Sequence, residues 1–127
     1  MKRVFLVALG MAAVMIFADS AFAHAQRVKS NPSDKAELKK TPSQVDIWFD
    51  ELLENGFNSA DCFQASDATA KKRANYIKSG PMVDDKDRTH LITPLLPLKP
   101  GSYVFQYRVL SRDGHVAPGQ LTFQVLP

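Results

Sequence analysis

The stretch GSYVFQYRVL, residues 101–110, places a large apolar side chain at every second position. Tyr103, Phe105, Tyr107 and Val109 therefore fall on one face of an extended backbone, because successive side chains of a strand point to opposite sides. A period of two with one apolar face predicts a strand that packs one side against a core.

The same period recurs elsewhere in the chain. SQVDIWFDE (43–51) and GQLTFQV (119–125) predict strands of the same kind. Between the last two strands, SRDGHVAPG (111–119) contains Asp-Gly and Pro-Gly steps, which predict a turn or loop between antiparallel neighbours. The further side chains expected to face the core are Val45, Ile47, Phe49, Leu121, Phe123 and Val125.

Weaker patterns fill the middle of the chain. FNSADCFQA (57–65), RANYIKS (73–79) and RTHLIT (88–93) predict short strands, and DELLEN (50–55) predicts a single helical turn. PLLPLKPG (94–101) predicts an extended connection, because its prolines resist helix formation. Several short strands with almost no helix indicate an all-β fold, an antiparallel sandwich or small Greek-key barrel.

The first 23 residues have the features of a secretory signal peptide. A basic head at Lys2 and Arg3 precedes an apolar run, and the segment ends in Ala21-Phe22-Ala23. The apolar run of roughly 15 residues is short for the ~20 that span a bilayer. We therefore expect residues 1–23 to be cleaved, which leaves one compact domain at 24–127 in an exported protein.

Charge and cysteine content exclude two classes of protein. Loss of Lys2, Arg3 and Asp19 with the signal peptide would lower the formal net charge from +3 to +2, which gives no case for nucleic-acid binding. With Cys62 as the single cysteine, no internal disulfide is possible. We interpret Cys62 as a small buried residue, since no cysteine or histidine near it in sequence completes a thiolate metal site.

Two of the three histidines occur in unusual settings. Asp113 and His115 flank Gly114, so in an extended backbone both side chains project to one side and two metal-binding groups converge. Taken alone, this motif is more typical of a polar hairpin turn carrying an exposed histidine than of a metal site.

Cleavage after Ala23 would make His24 the first residue of the mature chain. Its α-amine, with a reference pKa of ~7.7 to 8.0, and its imidazole Nδ1 can then chelate one metal ion. His115 would supply a third nitrogen and Asp113 an oxygen. Nitrogen and oxygen donors in a tetragonal arrangement suit Cu(II).

The sequence from His24 onward resembles the CopC family of periplasmic copper-binding proteins over nearly its whole length. The matching features are His24-Ala25, SNPSDKAELKKTP (30–42), VDIWF (45–49), LKPGSYVFQYRVLSRDGH (98–115) and GQLTFQV (119–125). The resemblance implies an immunoglobulin-like Greek-key β-sandwich that binds one Cu(II) per chain in the periplasm and serves copper resistance, homeostasis or uptake. It also implies that His24, Asp113 and His115 are the ligands, and that an inner-membrane protein of the CopD type is a partner.

The sequence departs from the family pattern at two points. Some relatives have a second histidine two residues after the first, where this chain has Gln26. Others have a methionine-rich stretch for Cu(I), whereas Met82 is the only methionine after residue 23. Thioether sulfur is what Cu(I) selects, so a separate Cu(I) site is not expected.

His90 matches no ligand position of the family. We interpret His90 as a strand residue with an ordinary hydrogen bond, because it has no converging partners in sequence. Trp48 lies on the opposite side of its strand from Ile47 and is expected to be packed or half exposed.

Two other functions remain open at this point. The chelate formed by the amine and imidazole of an N-terminal histidine, called a histidine brace, also occurs in copper monooxygenases that act on polysaccharides. This chain is short for the broad substrate face of those enzymes. An immunoglobulin-like interaction module without metal is the other, because β-sandwiches host many functions. The ionised carboxylate of Asp113 favours the carrier, since an anionic ligand stabilises Cu(II) relative to Cu(I).

Overall fold

The computed structural model describes residues 25–127, which form two packed four-stranded sheets. The predicted signal peptide, 1–23, and His24 lie outside the described residues. The strands are β1 Arg27–Asn31, β2 Ala36–Leu38, β3 Gln44–Phe49, β4 Ser59–Gln64, β5 Met82–Val83, β6 His90–Pro94, β7 Gly101–Leu110 and β8 Val116–Val125. One turn of 3-10 helix, Ala65–Asp67, follows β4.

The strand order is β1-β3-β6-β5 in one sheet and β2-β8-β7-β4 in the other. All pairings are antiparallel except that of β2 with β8, which is parallel. The predicted all-β, immunoglobulin-like sandwich is therefore confirmed, with β2 as the exception to its antiparallel character. Among residues 25–127, no helix has the length and apolar character needed to cross a membrane.

The inner faces of the two sheets form the core. Every residue that the alternating patterns assigned to the core in β3, β7 and β8 is buried. Phe49 of the first sheet meets Tyr107 of the second edge to face, with ring centroids 5.6 Å apart. Such a pair stabilises beyond the burial of its apolar area, so it helps to hold β3 and β7 together across the core.

The predicted turn at 111–119 is shorter than expected, because β8 begins at Val116 and continues through Pro118 and Gly119. Pro118 lies opposite Arg108 of β7, while β2 pairs with β8 only at residues 123–125. Pro118 has no N–H to donate, but β2 does not pair with β8 at this position, so no hydrogen bond to β2 is lost. Gly119 fits because the ring of Tyr107 lies directly over its Cα.

Two predictions in the middle of the chain are wrong. RANYIKS (73–79) forms only an isolated bridge between Ile77 and Leu95, because the Asn75 side chain accepts the N–H groups of Cys62 and Ile77 and interrupts a regular ladder. DELLEN (50–55) forms no helical turn. Leu53 is instead buried and bridges to Ser111, far along the chain. The strands β4 and β6 and the extended connection after β6 agree with prediction.

Candidate metal centre

The turn between β7 and β8 contains Asp113-Gly114-His115, whose aspartate and histidine are predicted metal ligands. The N–H of Gly114 donates to the carbonyl of Ser111 at 2.9 Å, and the N–H of Ser111 donates to the carbonyl of His115 at 3.0 Å. Gly114 has a φ of 90°, a conformation that side chains with a Cβ rarely adopt. These bonds close the hairpin so that the residues on either side of Gly114 lie near each other.

Asp113 and His115 lie side by side at the tip of this hairpin. The Nδ1 atom of His115 is 3.1 Å from Oδ1 of Asp113, and each side chain is about half exposed. The chain turns tightly at residues 113–115, so the locally extended backbone assumed for their convergence does not form. The structure nevertheless brings the two groups together. Their role as metal ligands stays a prediction.

Neighbouring donors hold the Asp113 carboxylate in its ionised form. The Ser111 hydroxyl donates a hydrogen bond to Oδ1 of Asp113, and the backbone N–H of His115 donates to the same atom at 3.2 Å. These bonds, that of Ser111 above all, lower the pKa of Asp113. The turn therefore offers a carboxylate and an imidazole, the donor types that suit a divalent transition metal.

The first residues of the described chain lie beside the strand that follows this turn. Ala25 is buried, and Ala25 to Arg27 line a shallow groove together with Ala117 to Gln120 of β8. Within residues 25–127, no group of three or more His, Cys, Asp or Glu side chains is arranged to hold a metal ion.

The segment after β3 supports the turn from the other side. The N–H of Arg112 donates to the carbonyl of Leu52 at 2.9 Å, next to the Leu53 to Ser111 bridge. Asp50, the first residue of this segment, accepts the N–H of Gln26 with its side chain. No sequence pattern indicates this contact, because an acidic residue after a strand is typical of a solvated loop.

His90 has partners other than the turn. In β6, its Nε2 is 2.8 Å from Asp46 Oδ1 and its Nδ1 is 3.2 Å from Asp84 Oδ2. Its ring stacks on Trp48, with centroids 4.2 Å apart. His90 is thus a hydrogen-bonded strand residue and Trp48 is packed, as we expected from sequence, although the two carboxylate partners of His90 were not predicted.

Two sulfur-containing side chains lie within residues 25–127, one buried and one exposed. Cys62 is fully buried in β4, and burial raises the pKa of its thiol to about 12. Thiolates rather than thiols bind metals, so the burial of Cys62 disfavours the ionised form that a metal ligand requires. Met82 lies exposed in β5, at the opposite edge of its sheet from β1.

Comparison with protein families gives a match over nearly all of the described chain. The family model described as CopC domain matches residues 27–126. A protein named copper resistance protein C, from Pseudomonas syringae pv. tomato, is 29% identical over 114 residues, which cover 90% of each chain. Copper transport protein CutJ of Bacillus subtilis is 32% identical over 108 residues, or 84% of this chain, but the match spans only 19% of CutJ.

A solved structure has the same fold. The crystal structure of CopC from Methylosinus trichosporium OB3b superposes with a TM-score of 0.71 and 28% identity, covering 82% of this chain and 95% of that one. The two-sheet architecture and the family match thus agree.

Proposed function

Because the chain belongs to the CopC family, we propose that its mature form is a periplasmic Cu(II)-binding protein. It carries or sequesters copper in resistance, homeostasis or uptake and does not turn over a substrate. The contact of Asp113 with His115 at the tip of the β7–β8 hairpin carries this proposal.

The ion is held, one per chain, by His24, Asp113 and His115. The α-amine and imidazole of His24 form a chelate, while the hairpin supplies a second imidazole and a carboxylate. The burial of Ala25 beside β8 supports this set. Consecutive Cα atoms are about 3.8 Å apart, so the covalent chain keeps the residue before Ala25 next to it. Three nitrogens and one oxygen suit Cu(II).

Cleavage of the signal peptide after Ala23 completes the site. The nitrogen of His24 is an amide before cleavage and a basic amine afterwards, and only the amine binds copper readily near neutral pH. Tight copper binding is thus confined to the exported, processed protein.

The anionic donor favours retention over redox cycling. The hydrogen bonds to Asp113 keep its carboxylate ionised, and a negative ligand stabilises Cu(II) relative to Cu(I). We therefore expect no sustained ascorbate-driven oxygen consumption by the copper-loaded protein. Sustained turnover would identify a histidine-brace oxidase instead.

Copper exchange takes place with a separate membrane protein of the CopD type. The similarity to one fifth of CutJ supports this view, because a domain like this chain there forms part of a longer protein named for copper transport. Co-purification with a membrane partner would test it. Unchanged copper tolerance and uptake after deletion of the gene would contradict the role.

The decisive experiment compares three purified proteins in competition with a chelator of known Cu(II) affinity. They are the processed chain, a chain with one extra residue before His24, and His115→Ala. We expect one tight Cu(II) site in the first and much weaker binding in the other two, with unchanged circular dichroism. Equal affinity of the extended and processed chains would refute the role of the His24 amine.

A further inference from the structure

We propose that Asp50 is a positioning residue for the copper site, because it fixes the backbone of Gln26, two residues after His24. This inference rests on the proposed function and assigns a role to a residue outside the ligand set. Asp50 is exposed and follows β3 directly.

Asp50 holds both backbone polar groups of Gln26. Its Oδ1 accepts the Gln26 N–H at 2.8 Å, and its own N–H donates to the Gln26 carbonyl at 2.9 Å. Arg27, which follows Gln26, and Phe49, which precedes Asp50, are register partners of the antiparallel strands β1 and β3. Asp50 thus extends the ladder by one step, with its carboxylate in the place that a backbone carbonyl occupies in a regular antiparallel pair.

The anchor itself is rigid. Phe49, which precedes Asp50, is buried, and its N–H donates to the Thr89 carbonyl at 2.9 Å. Three residues after Asp50, Leu53 is fully buried and bridges to Ser111 of the metal-binding turn. The short segment 50–53 therefore contacts both the start of the described chain and the hairpin that carries Asp113 and His115.

This arrangement lowers the entropic cost of copper binding. Fixing the backbone of one residue costs about 1–2 kcal/mol in conformational entropy, which corresponds to a factor of about 5–30 in an equilibrium constant. While Asp50 holds Gln26, the backbone is already fixed in the folded protein, and most of the entropic cost belongs to the free energy of folding. Without the hydrogen bond to the Asp50 side chain, the same cost reduces the free energy of Cu(II) binding.

Two substitutions separate positioning from charge. Asp50→Asn removes the negative charge but keeps a carbonyl oxygen that accepts the Gln26 N–H. Asp50→Ala removes both. If Asp50 acted as an anion near the metal or as a ligand, the two variants would be equally impaired.

The test measures Cu(II) affinity of processed wild-type protein, Asp50→Asn and Asp50→Ala by chelator competition. Asp85→Ala, at an exposed aspartate elsewhere, is the control. Amide hydrogen exchange at Gln26, without copper, is measured in each. We expect Asp50→Ala to lose protection at Gln26 and to bind Cu(II) about 5–30-fold more weakly with an unchanged electron paramagnetic resonance spectrum. Asp50→Asn and the control should stay within about twofold of wild type, which is under 0.5 kcal/mol.

Each other outcome has a distinct meaning. Wild-type affinity in Asp50→Ala, despite lost protection at Gln26, would overturn the positioning role and leave the proposed function intact. Equal weakening in both variants would assign the effect to charge and also overturn it. If Asp50→Ala does not fold, weak binding by a folded Asp50→Asn would likewise overturn the positioning role, and wild-type binding by that variant would support it. A wild-type protein that binds no Cu(II) would refute the proposed function itself, whatever the exchange at Gln26.

Discussion

Gly119→Ala should destabilise the protein, although alanine is a better strand residue than glycine. A Cβ built on Gly119 would overlap Cζ and the hydroxyl oxygen of Tyr107 and would lie 2.7 Å from its Cε2. Tyr107 cannot move freely, because it is 8% exposed and packs edge to face on Phe49. Either the ring or β8 must therefore shift.

The expected loss of unfolding free energy is about 2 kcal/mol. Overpacking a well-filled core costs about 1–3 kcal/mol, and the overlap with two ring atoms places this site at the upper end. The lower entropy of the unfolded alanine chain offsets about 0.4–1 kcal/mol. For a domain of this size, the melting temperature should fall by roughly 8–16 °C.

The assay is thermal and urea unfolding of the processed protein, with Gly80→Ala as the matched control. No atom lies within 4 Å of a Cβ at Gly80, and its φ is not in the positive range. That variant should be neutral or slightly stabilised. In a Tyr107→Leu background, which lacks the distal ring atoms, the Gly119→Ala penalty should largely disappear. Equal stability of Gly119→Ala and Gly80→Ala would show that Tyr107 does not cover Gly119.

Three further predictions concern single carboxylates and the cysteine. Asp113→Asn should weaken Cu(II) binding at least tenfold by removing the anionic donor, whereas the exposed Asp85→Asn should not change it in the same chelator titration; equal effects would indicate a non-specific electrostatic contribution. The hydrogen bond from the Thr122 N–H, at 2.9 Å, is the main cause that lowers the pKa of Asp34. A depressed pKa stabilises the fold above the unfolded value of ~3.9 and ceases to do so as the pH falls through the folded value. The melting temperature should therefore drop below about pH 4, and less steeply in Asp34→Asn; an identical acid profile would contradict this contribution. Cys62 should react with iodoacetamide at pH 8 only after denaturation, because the buried thiol has its pKa raised to about 12; rapid alkylation of the folded protein, followed by mass spectrometry, would disprove its burial.

Some elements are predictable because their signal is local. In β3, β7 and β8, alternation shows which side chains must leave water, and burial of those side chains drives the sheets together. The pairing of Asp113 with His115 is predictable for a similar reason, since only Gly114 separates them. The role of His24 likewise follows from the adjacent Ala-Phe-Ala pattern and the family resemblance, and it stays a prediction.

Other elements carry no local signal. The strands β1, β2 and β5 are not predicted, because they have five residues or fewer and few large apolar side chains. They are strands because each forms backbone hydrogen bonds with the edge of a neighbouring strand, β3, β8 and β6 respectively. The residue type of Pro118 predicts a turn, yet the missing pairing beside it lets β8 include it.

Local sequence was sufficient for the fold class, the core faces of the long strands and the donor types of the candidate site. The folded chain was needed to show that Leu53 bridges to the hairpin, that two carboxylates flank His90, and that Asp50 holds Gln26 from 24 positions away. The difference arises because burial preference is a property of each side chain, whereas a hydrogen bond or ion pair exists only between two. Which two groups meet depends on strand register and sheet order, and these are set by the packing of the whole chain.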